Sequence, residues 1–482
     1  MSDSNKKQRL EQPKKTPEEV QAHFKAHGQE HVFQHVSTLS EDEKAAFYEQ
    51  LSTMELDKIP PIPELIKTLK KWEEESASQT IAPLTERVAY STDASTVDKV
   101  RPLGMQAIQE GKIGALVLAG GQGTRLGFEH PKGMYNIGLP SGKTLFQMIV
   151  ERLLRLKVLA KTNKNIPLYV MTSPINHKET VSFFEENQCF GMDRSDLVFF
   201  QQGVLPCFDN NHKIILEAPG KVAVAPDGNG GIYPSLQKSG SLADMEARGI
   251  EYLHVFAIDN SLVKPADPLF VGYCLSQNAD CGNKVCWKTS ADEKVGVVAA
   301  RDGKPCVIEY SEITKEMSEQ TDESGRLVFG AGNIANHFYT IDFIKNTILP
   351  NFGNLYHLAH KKIPYYDADK KEVVKPTVNN GIKLETFIFD VFPLSKRMAI
   401  WDVNRTDEFA PVKNAPGSSS DSPDTARILI SNLAKSWVEK AGGKLIGDIE
   451  SDKCEISPLT SFSGEGLEEL VKDKKINCPF SL

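Results

Sequence analysis

The sequence ALVLAGGQGTRLG, residues 115–127, joins an apolar run to a glycine-rich turn. The run at 115–118 predicts a buried strand, and three glycines follow its carboxyl end. Glycine tolerates positive φ and lets a backbone approach an anion, so successive N–H groups can form a nest around phosphate oxygens. Arg125 adds a permanently charged guanidinium for the same oxygens. The stretch predicts a phosphate-binding turn, although tight strand-to-helix turns also use glycine for purely steric reasons.

The glycine spacing separates this turn from two familiar nucleotide motifs. The dinucleotide fingerprint GxGxxG, begun at Gly121, requires a glycine where the chain has Leu126. A Walker pattern that ends in the GKT of residues 142–144 requires its first glycine where the chain has Ile137. The sequence therefore excludes a Rossmann dehydrogenase and a P-loop kinase.

A second cation and a carboxylate complete the pattern. The sequence PKG at 131–133 supplies Lys132, and a buried apolar run at 252–258 ends on Asp259. A nest, two cations and one carboxylate at strand ends are the groups that a magnesium-bound nucleoside triphosphate requires. We expect Asp259 to ligate Mg²⁺, with Mn²⁺ as the alternative ion, although a strand-terminal Asp can equally bind a ribose hydroxyl.

Short apolar runs alternate with amphipathic stretches on either side of this turn. We predict strands at 115–118, 167–172, 197–201 and 252–258, and helices at 144–160 and 178–186. This alternation indicates an α/β fold with a mostly parallel sheet covered on both faces. Further strand-like runs extend it as a mixed sheet, at 296–300, 327–330, 387–392 and 398–403.

The two ends of the chain differ in predicted secondary structure from the central α/β region. Residues 16 to about 55 are predicted to be helical from two capping signatures, Thr16-Pro17 with Glu19 and Ser40 with Glu43. After a loop at 414–424, a helix at 426–440 leads into a short tail with strand-like pieces. We predict three parts: an N-terminal helical arm (1–100), a central domain (101–412) and a small C-terminal domain (413–482).

Histidines recur every four residues in the predicted arm, at His23, His27, His31 and His35. This spacing would place four imidazoles on one helical face, which suits metal binding. Gly28 interrupts the stripe, and a polar face of a surface helix explains the same pattern.

Composition limits the possible partners. A net charge of −8, with both signs interspersed, argues against nucleic acid. A basic cluster at the start of the chain fits a solvated tail or a nuclear-localisation patch; it comprises Lys6, Lys7, Arg9, Lys14 and Lys15. No apolar run approaches the ~18 residues that span a bilayer. The eight cysteines form no CxxC pair, so we expect reduced thiols in a cytoplasmic protein.

Several segments together carry a family resemblance. LAGGQGTRLG and PKGMY are followed by FFQQGVLP (199–206), APDGNGGIY (225–233), VIEYSEI (307–313), AGNIANHF (331–338), NGIKLETFIFD (380–390), VKNAP (412–416) and CEISPL (454–459). From about residue 20 onward the chain resembles the eukaryotic UDP-N-acetylglucosamine (UDP-N-acetylhexosamine) pyrophosphorylases, within the UDP-sugar pyrophosphorylase family. The resemblance implies a Rossmann-like, GT-A-like nucleotidyltransferase domain between a helical N-terminal arm and a small C-terminal β domain.

The resemblance also assigns roles to individual residues. It implies nucleotide contacts for Leu118, Ala119, Gly120, Gly121, Gln202, Gly228 and Asp259; sugar contacts for Asn229, Glu309, Tyr310, Asn333, Phe387 and Phe389; and phosphate contacts for Arg125, Lys132, Lys383 and Lys413. Of these, Arg125, Lys132 and Lys413 are the expected catalytic residues. By their alternation alone, Phe387 and Phe389 fit an ordinary strand core.

The implied reaction joins UTP to N-acetylglucosamine 1-phosphate, with N-acetylgalactosamine 1-phosphate as a further substrate, in a monomer or homodimer. A UDP-glucose or broad UDP-sugar pyrophosphorylase is the nearest alternative. An inactive UDP-sugar-binding protein is the alternative from another class. By likeness to the family, the segment with small Ala331 and Gly332 before Asn333 implies room for an acetamido group. We also expect Lys413 to lie on a flexible linker that closes over bound substrates.

Overall fold

The computed structural model describes residues 15–76, 78–352 and 355–482. Four of the five residues in the N-terminal basic cluster lie outside this range. The helices are α1 (Pro17–Ala26), α2 (Glu41–Ser52), α3 (Ile62–Ser76), α4 (Ala94–Gln109), α5 (Leu145–Leu159), α6 (His177–Glu186), α7 (Ile232–Lys238), α8 (Ser241–Ala247), α9 (Pro268–Ser276), α10 (Lys315–Glu319), α11 (Ile341–Phe343), α12 (Leu349–Asn351), α13 (Arg405–Glu408), α14 (Pro423–Lys440) and α15 (Glu468–Val471).

The strands are β1 (Ile81–Pro83), β2 (Val88–Tyr90), β3 (Ile113–Leu118), β4 (Leu168–Thr172), β5 (Leu197–Gln201), β6 (Val204–Pro206), β7 (Phe208–Asp209), β8 (Leu216–Ala218), β9 (Lys221–Val222), β10 (Val224–Pro226), β11 (Tyr252–Ala257), β12 (Cys281–Trp287), β13 (Val297–Arg301), β14 (Lys304–Ile308), β15 (Ala331–Thr340), β16 (His357–Lys361), β17 (Tyr365–Asp367), β18 (Glu372–Val374), β19 (Gly381–Glu385), β20 (Met398–Val403), β21 (Lys444–Gly447) and β22 (Lys475–Cys478).

The chain forms two compact units that are discontinuous in sequence. The smaller unit comprises residues 1–78, 203–230 and 352–387, and the larger unit comprises 79–202, 231–351 and 388–482. Neither predicted boundary, after residue 100 or after residue 412, separates these two units. The three-part division of the chain stays a prediction.

The larger unit is built on a mixed sheet, as predicted. Its main strand order is β2-β20-β12-β15-β11-β3-β4-β5, and β13 joins it beside β15 and carries β1 and β14. The four strands from β11 to β5 are mutually parallel, and so are β12, β20 and β2. Strand β15 runs antiparallel to both of its main neighbours, β11 and β12. The parallel part places the carboxyl ends of β3, β4 and β11 at one edge of the sheet.

Local sequence signals explain most of these elements. Strand β3 is almost wholly buried, as its apolar run predicts. Helix α5 begins where the Thr144 hydroxyl accepts the Gln147 N–H, and it ends before Ala160, so the predicted helix is confirmed. Helix α14 begins at a capping box of Ser422 and Thr425, three residues before the predicted start.

Two predicted strands are wrong. Residues 327–330 form a turn with one isolated bridge, from Leu327 to Thr321. Residues 387–392 also form turns, and the nearby strand is β19. There the Ile388 carbonyl accepts a hydrogen bond from the Tyr233 hydroxyl at 2.6 Å. A side chain thus provides the hydrogen bond that a neighbouring strand would otherwise give to this carbonyl. Most of the apolar side chains in this run are buried, but burial alone does not make the run a strand.

The smaller unit packs helices α1–α3 against short strands. Both predicted capping boxes are present, at Thr16 with Glu19 and at Ser40 with Glu43. Its core contains buried side chains from the helices and from the strand segments, including Phe24, Phe47, Phe208 and Leu384. Within the described residues of both units, no helix is long and apolar enough to cross a membrane.

The histidine stripe does not form one helical face. Helix α1 ends at Ala26, and Gly28 has a φ of 67°, which turns the chain out of the helix. Only His23 and His27 remain neighbours, with ring centroids 4.8 Å apart. His31 instead bonds the Ile214 carbonyl through Nε2 at 2.8 Å.

Candidate functional site

The glycine-rich turn after β3 is closed by backbone hydrogen bonds at its base. The Ala119 N–H donates to the Met171 carbonyl of β4 at 2.8 Å, which continues the strand pairing into the turn. Further on, the Lys132 N–H donates to the Gly121 carbonyl at 3.2 Å, and the Gly123 N–H donates to the His130 carbonyl at 2.9 Å. Lys132 is therefore held next to the first glycines, although it lies eleven residues further along the chain than Gly121.

A buried amide holds the carbonyl groups of the same turn. Asn176 is fully buried, and its Nδ2 donates to the carbonyls of Ala119 at 3.0 Å and Gly121 at 3.3 Å. Its Oδ1 accepts the Ser173 N–H at 2.8 Å. Within the described residues, no group accepts the N–H of Gly120 or Gly121. The carbonyls are thus satisfied while the amides stay available to an anion, which supports the predicted nest.

The glycines of the turn are required by close packing rather than by positive φ. Gly120, Gly121 and Gly123 all lack positive φ, which corrects the conformational argument from sequence. A Cβ on Gly120 would lie 2.9 Å from Oε1 of Gln202, and a Cβ on Gly123 would lie 2.8 Å from Phe128. A Cβ on Gly121 would meet open space. The turn therefore combines two tightly packed glycines with one that faces an opening.

Gln202 lies against this turn, as its predicted nucleotide contact requires. Its N–H continues β5 by donating to the Thr172 carbonyl at 2.7 Å. Ser173, which follows β4, lies beside the same glycine and is only 5% exposed. Its Oγ has no hydrogen-bond partner among the described residues. We did not single out Ser173 or Asn176 from the sequence, although their place after a parallel strand ending beside β3 was a usable signal.

Three cations and one carboxylate gather at the mouth of the turn. The pKa of Lys132 is lowered, mainly by burial and then by the charges of Lys413 and Arg125, while Asp259 acts in the opposite direction. Arg125 and Lys413 are exposed. Among the residues described, none of these four side chains forms an ion pair within 4.0 Å. The structure thus brings together charged groups that lie far apart in sequence and leaves the positive ones uncompensated.

The segment before Lys413 is hydrogen-bonded to the end of β11 in this structure, and the closing of a flexible linker over bound substrates stays a prediction. The Val412 N–H donates to the Asp259 carbonyl at 2.8 Å, and the Ala410 N–H donates to Oδ1 of Asn260 at 2.9 Å. The Lys413 N–H itself donates to the Asp421 carbonyl at 2.7 Å. We call residues 408–413 the strap. It places Lys413 next in the chain to a residue bonded to the Asp259 carbonyl.

The site can accept a magnesium ion at Asp259. This residue lies two positions after the end of β11 and is partly buried, and its charge acts to raise the pKa of Lys132. Mg²⁺ commonly takes one or two protein carboxylates and completes its octahedron with phosphate oxygens and water. A single carboxylate beside a phosphate-binding turn fits that pattern.

Two predicted sugar-binding residues meet at Gly296. The Asn333 N–H donates to the Gly296 carbonyl at 2.8 Å, and Oε1 of Glu309 lies 3.1 Å from the position of a Cβ on this glycine. Burial raises the pKa of Glu309, as do the charges of Glu312 and Asp390. Tyr310 is 52% exposed next to Glu309. The pair offers a carboxylate and an amide, which suit sugar hydroxyls.

The glycine before Asn333 has a packing role. A Cβ on Gly332 would lie 2.7 Å from the Cys286 carbonyl, across the β12–β15 pairing. Its missing side chain therefore serves strand packing, and it does not show room for an acetamido group.

The remaining predicted residues are distributed over both units. In the smaller unit, Gly228 has a φ of 86°, and a Cβ there would lie 2.2 Å from the Thr386 carbonyl, so the turn that precedes Asn229 requires glycine. Also in the smaller unit, Lys383 lies on β19, and the Phe387 ring lies 4.9 Å from that of His357. Phe389 lies in a turn of the larger unit. The ligand contacts of these residues stay predictions.

Comparison with known proteins identifies the family. The family model described as UTP–glucose-1-phosphate uridylyltransferase matches residues 66–451. The chain belongs to this family. The family and the nucleotidyltransferase fold that we predicted from the sequence are confirmed.

Three relatives give the family finer detail. A Xenopus tropicalis protein named UDP-N-acetylhexosamine pyrophosphorylase-like protein 1 is 42% identical over 492 residues, covering 94% of both chains. The UDP-N-acetylglucosamine pyrophosphorylase of Saccharomyces cerevisiae is 43% identical over 373 residues, 76% of this chain and 77% of that one. The crystal structure of uridine diphosphate N-acetylglucosamine pyrophosphorylase from Trypanosoma brucei, in complex with an inhibitor, matches with a TM-score of 0.80 and 32% identity, covering 94% of both chains.

Proposed function

We propose that this chain joins UTP to N-acetylglucosamine 1-phosphate, forming UDP-N-acetylglucosamine and pyrophosphate. The observation that carries the proposal is the group of uncompensated cations, Arg125, Lys132 and Lys413, around free backbone amides and Asp259. A nucleoside triphosphate supplies the missing negative charge. The relatives named UDP-N-acetylglucosamine pyrophosphorylase support the choice of sugar.

The chemistry requires positioning more than proton transfer. An oxygen of the sugar 1-phosphate attacks the α-phosphorus of UTP, and the bond from that phosphorus to the α,β-bridging oxygen breaks. Pyrophosphate leaves with the electron pair. Because the attacking oxygen is already anionic, no general base and no covalent nucleophile are needed. The residues must hold two polyanions together and neutralise the charge that develops on the leaving group.

The chain's own groups divide this task. We assign the amides of Gly120 and Gly121, with Arg125 and Lys132, to the β and γ phosphates that become pyrophosphate. We assign Lys413 to the α-phosphate or the incoming phosphate, where the strap holds it near Asp259. Glu309 and Asn333 are assigned to the sugar hydroxyls. Lys383, Gly228, Asn229, Phe387 and Phe389 keep the ligand contacts predicted for them.

A divalent cation completes the proposed site. Asp259 would hold Mg²⁺, or Mn²⁺ in its place, and the ion would offset negative charge on the phosphate oxygens. Asp259→Asn should therefore lower turnover and raise the Mg²⁺ concentration needed for half-maximal rate. A change in the UTP requirement alone would indicate a ribose contact instead.

We also propose that the protein works in the cytoplasm, as a monomer or homodimer. The eight cysteines are all free thiols, and seven of them are buried. Free thiols that are packed as small apolar groups fit a reducing compartment.

A pyrophosphate-release assay tests the function directly. The purified chain is incubated with Mg²⁺, UTP and one sugar 1-phosphate at a time, carrying N-acetylglucosamine, N-acetylgalactosamine or glucose. We expect the highest kcat/KM with N-acetylglucosamine 1-phosphate and a measurable rate with its N-acetylgalactosamine epimer. A preference for glucose 1-phosphate would favour the UDP-glucose alternative. Binding of UDP-N-acetylglucosamine without pyrophosphate release would indicate an inactive binding protein.

A further inference from the structure

The smaller unit contains a cluster of two histidines and one aspartate that the proposed reaction does not use. His23 lies in the last turn of α1, His27 caps that helix, and Asp57 lies in a short 3₁₀ turn, Leu56–Lys58. One potential ligand atom from each residue lies within 4.8 Å of the others. The sequence pattern showed the two histidines but not the carboxylate that completes the group.

The two ring nitrogens of His27 have different partners. Nδ1 of His27 lies 2.8 Å from the His23 carbonyl, which can only accept, so this nitrogen carries a proton. Nε2 of His27 faces Oδ1 of Asp57 at 3.2 Å. Either a proton on Nε2 or a metal ion between the two atoms makes this contact favourable. A backbone carbonyl on the second ring nitrogen is also the usual support of a metal-binding histidine.

His23 faces the same carboxylate from the other side. Its Nδ1 lies 3.7 Å from Oδ2 of Asp57. Burial lowers the pKa of His23, with Lys15 and His27 adding to the effect, although Asp57 and the Met54 backbone oppose it. The ring is therefore neutral at pH 7, the form in which histidine ligates metals. A proton on His27 would give only one of the two imidazoles a favourable contact with Asp57, whereas a divalent cation would bind both imidazoles and the carboxylate at once.

We propose that His23, His27 and Asp57 form a site for a zinc-like divalent cation, with a fourth position open to water. Zn²⁺ takes imidazole nitrogen and carboxylate oxygen at about 2.0–2.2 Å, which puts tetrahedral ligand atoms about 3.3–3.5 Å apart. The separations of 3.2 Å, from His27 Nε2 to Asp57 Oδ1, and 3.7 Å, from His23 Nδ1 to Asp57 Oδ2, are near that spacing, and one ligand atom from each residue lies within 4.8 Å of the others. The site would join the end of α1 to residues 56–58 within the smaller unit.

Zinc titration of the metal-free full-length chain tests this site. After treatment with a chelator, the chain is titrated with Zn²⁺ in a calorimeter, and in parallel with Co²⁺, whose visible absorption reports imidazole ligation. We expect the unsubstituted chain to bind one equivalent of Zn²⁺. The affinity for Zn²⁺ should be at least about tenfold lower in His27→Gln and in Asp57→Asn. The melting temperature of the unsubstituted chain should rise with Zn²⁺, and that of Asp57→Asn should not.

Matched controls keep the result interpretable. His35→Gln removes a histidine of the same stripe that contacts Tyr366 instead of Asp57, and it should leave zinc binding unchanged. The Asp57 side chain is 72% exposed, so Asp57→Asn should fold normally, which far-UV circular dichroism without metal checks. Unchanged zinc binding in the triple variant His23→Gln/His27→Gln/Asp57→Asn would overturn the proposal. Absence of zinc binding, with a His27–Asp57 pair that titrates as a simple ion pair, would overturn it as well.

Discussion

Two groups of lysines in the larger unit hold their charges in opposite ways. Lys284 is completely buried, yet its Nζ lies 2.6 Å from Asp267 and 2.5 Å from Glu408, and Lys264 adds a contact of 3.2 Å to the same glutamate. Lys132 is less buried, but it has no ion pair among the described residues and faces two further cations. Burial lowers the pKa of Lys132, whereas the two carboxylates raise that of Lys284 despite its burial.

The difference separates structural charge from functional charge. Around Lys284 the compensating carboxylates belong to the protein itself, so the network has a structural role and needs no ligand. Around Lys132 one carboxylate, Asp259, stands against three cations and forms no ion pair within 4.0 Å among the described residues, so the folded protein carries an excess of positive charge there. A substrate with several phosphates offsets that excess when it binds. The two groups are physically connected, because the strap begins at Glu408 in the first group and ends at Lys413 in the second.

The largest effect should follow from breaking the paired group. Lys284→Met leaves buried Asp267 without its ion-pair partner and Glu408 with Lys264 alone, and removal of one partner of a buried pair costs about 3–5 kcal/mol of stability. Denaturant unfolding followed by circular dichroism measures the loss. Lys304→Met, at an exposed position on β14, serves as the control and should change stability little. If both variants had the same free energy of unfolding, the paired charges around Lys284 would have no structural role that distinguishes them from the charges around Lys132.

Removing a cation from the group around Lys132 should lower the catalytic rate and leave stability unharmed. Lys132→Ala and Arg125→Ala should each lower kcat by about 10²–10³, the usual cost of losing one preorganised group that stabilises transition-state charge. Melting temperatures should stay level or rise, because like charges have been removed. Pyrophosphate release measures the rate, and Lys440→Ala on the exposed end of α14 is the matched control. Full activity in both variants would contradict the proposed role of the turn.

The lowered pKa of Lys132 predicts a pH dependence. Since neutral lysine cannot hold the phosphates, kcat/KM should fall on the alkaline side at a pH below 10.5, the ordinary lysine value. Lys132→Arg keeps the charge at alkaline pH, so this variant should lose the alkaline decline even if its absolute rate is lower. The pH profile of kcat/KM measured from pH 7 to 10 checks the shift. An identical decline in both proteins would assign it to another group.

The smallest effect concerns Glu309, whose pKa is raised. A carboxyl with a raised folded pKa favours folding while protonated, below the unfolded value of 4.5, and this contribution is lost as the pH rises through the folded pKa. Glu309→Gln should therefore gain melting temperature relative to the unsubstituted chain between pH 4.5 and 7. The same variant should raise KM for the sugar phosphate more than KM for UTP. A constant difference in melting temperature across this pH range would contradict the assignment.

Sequence patterns predicted the elements that depend on local chemistry. Helix caps such as Thr16 and Ser40 and the apolar run of β3 need only neighbouring residues, and they appeared where expected. The parallel direction of the strands from β11 to β5 agrees with the alternation of strands and helices in the sequence. The turn at 387–392 was mistaken for a strand because its apolar side chains are buried, while its backbone partners are distant hydroxyl groups such as that of Tyr233.

Site residues were predictable to the extent that a motif marked them. The glycine turn and Asp259 were marked by the ends of apolar runs, and Lys132 by the PKG sequence after the turn, while their ligand contacts stay predictions. Asn176 could not be assigned a role, since its two carbonyl partners lie 57 and 55 residues away and become neighbours only through the pairing of β3 and β4. The hydrogen bonds of the strap could not be predicted for a similar reason, because the Asp259 carbonyl that accepts the Val412 N–H lies on a distant segment.

The strap has a consequence for anyone who evolves this protein in the laboratory. Its first residue belongs to the buried salt-bridge network, and its last is Lys413, for which we propose a phosphate contact. Selection for heat resistance that replaces Lys284, Asp267 and Glu408 with apolar side chains would yield a robust scaffold, but would also shift the anchor of Lys413. Thermostability and turnover are thus coupled traits here, and a library should vary residues 408–413 together with the network beneath them.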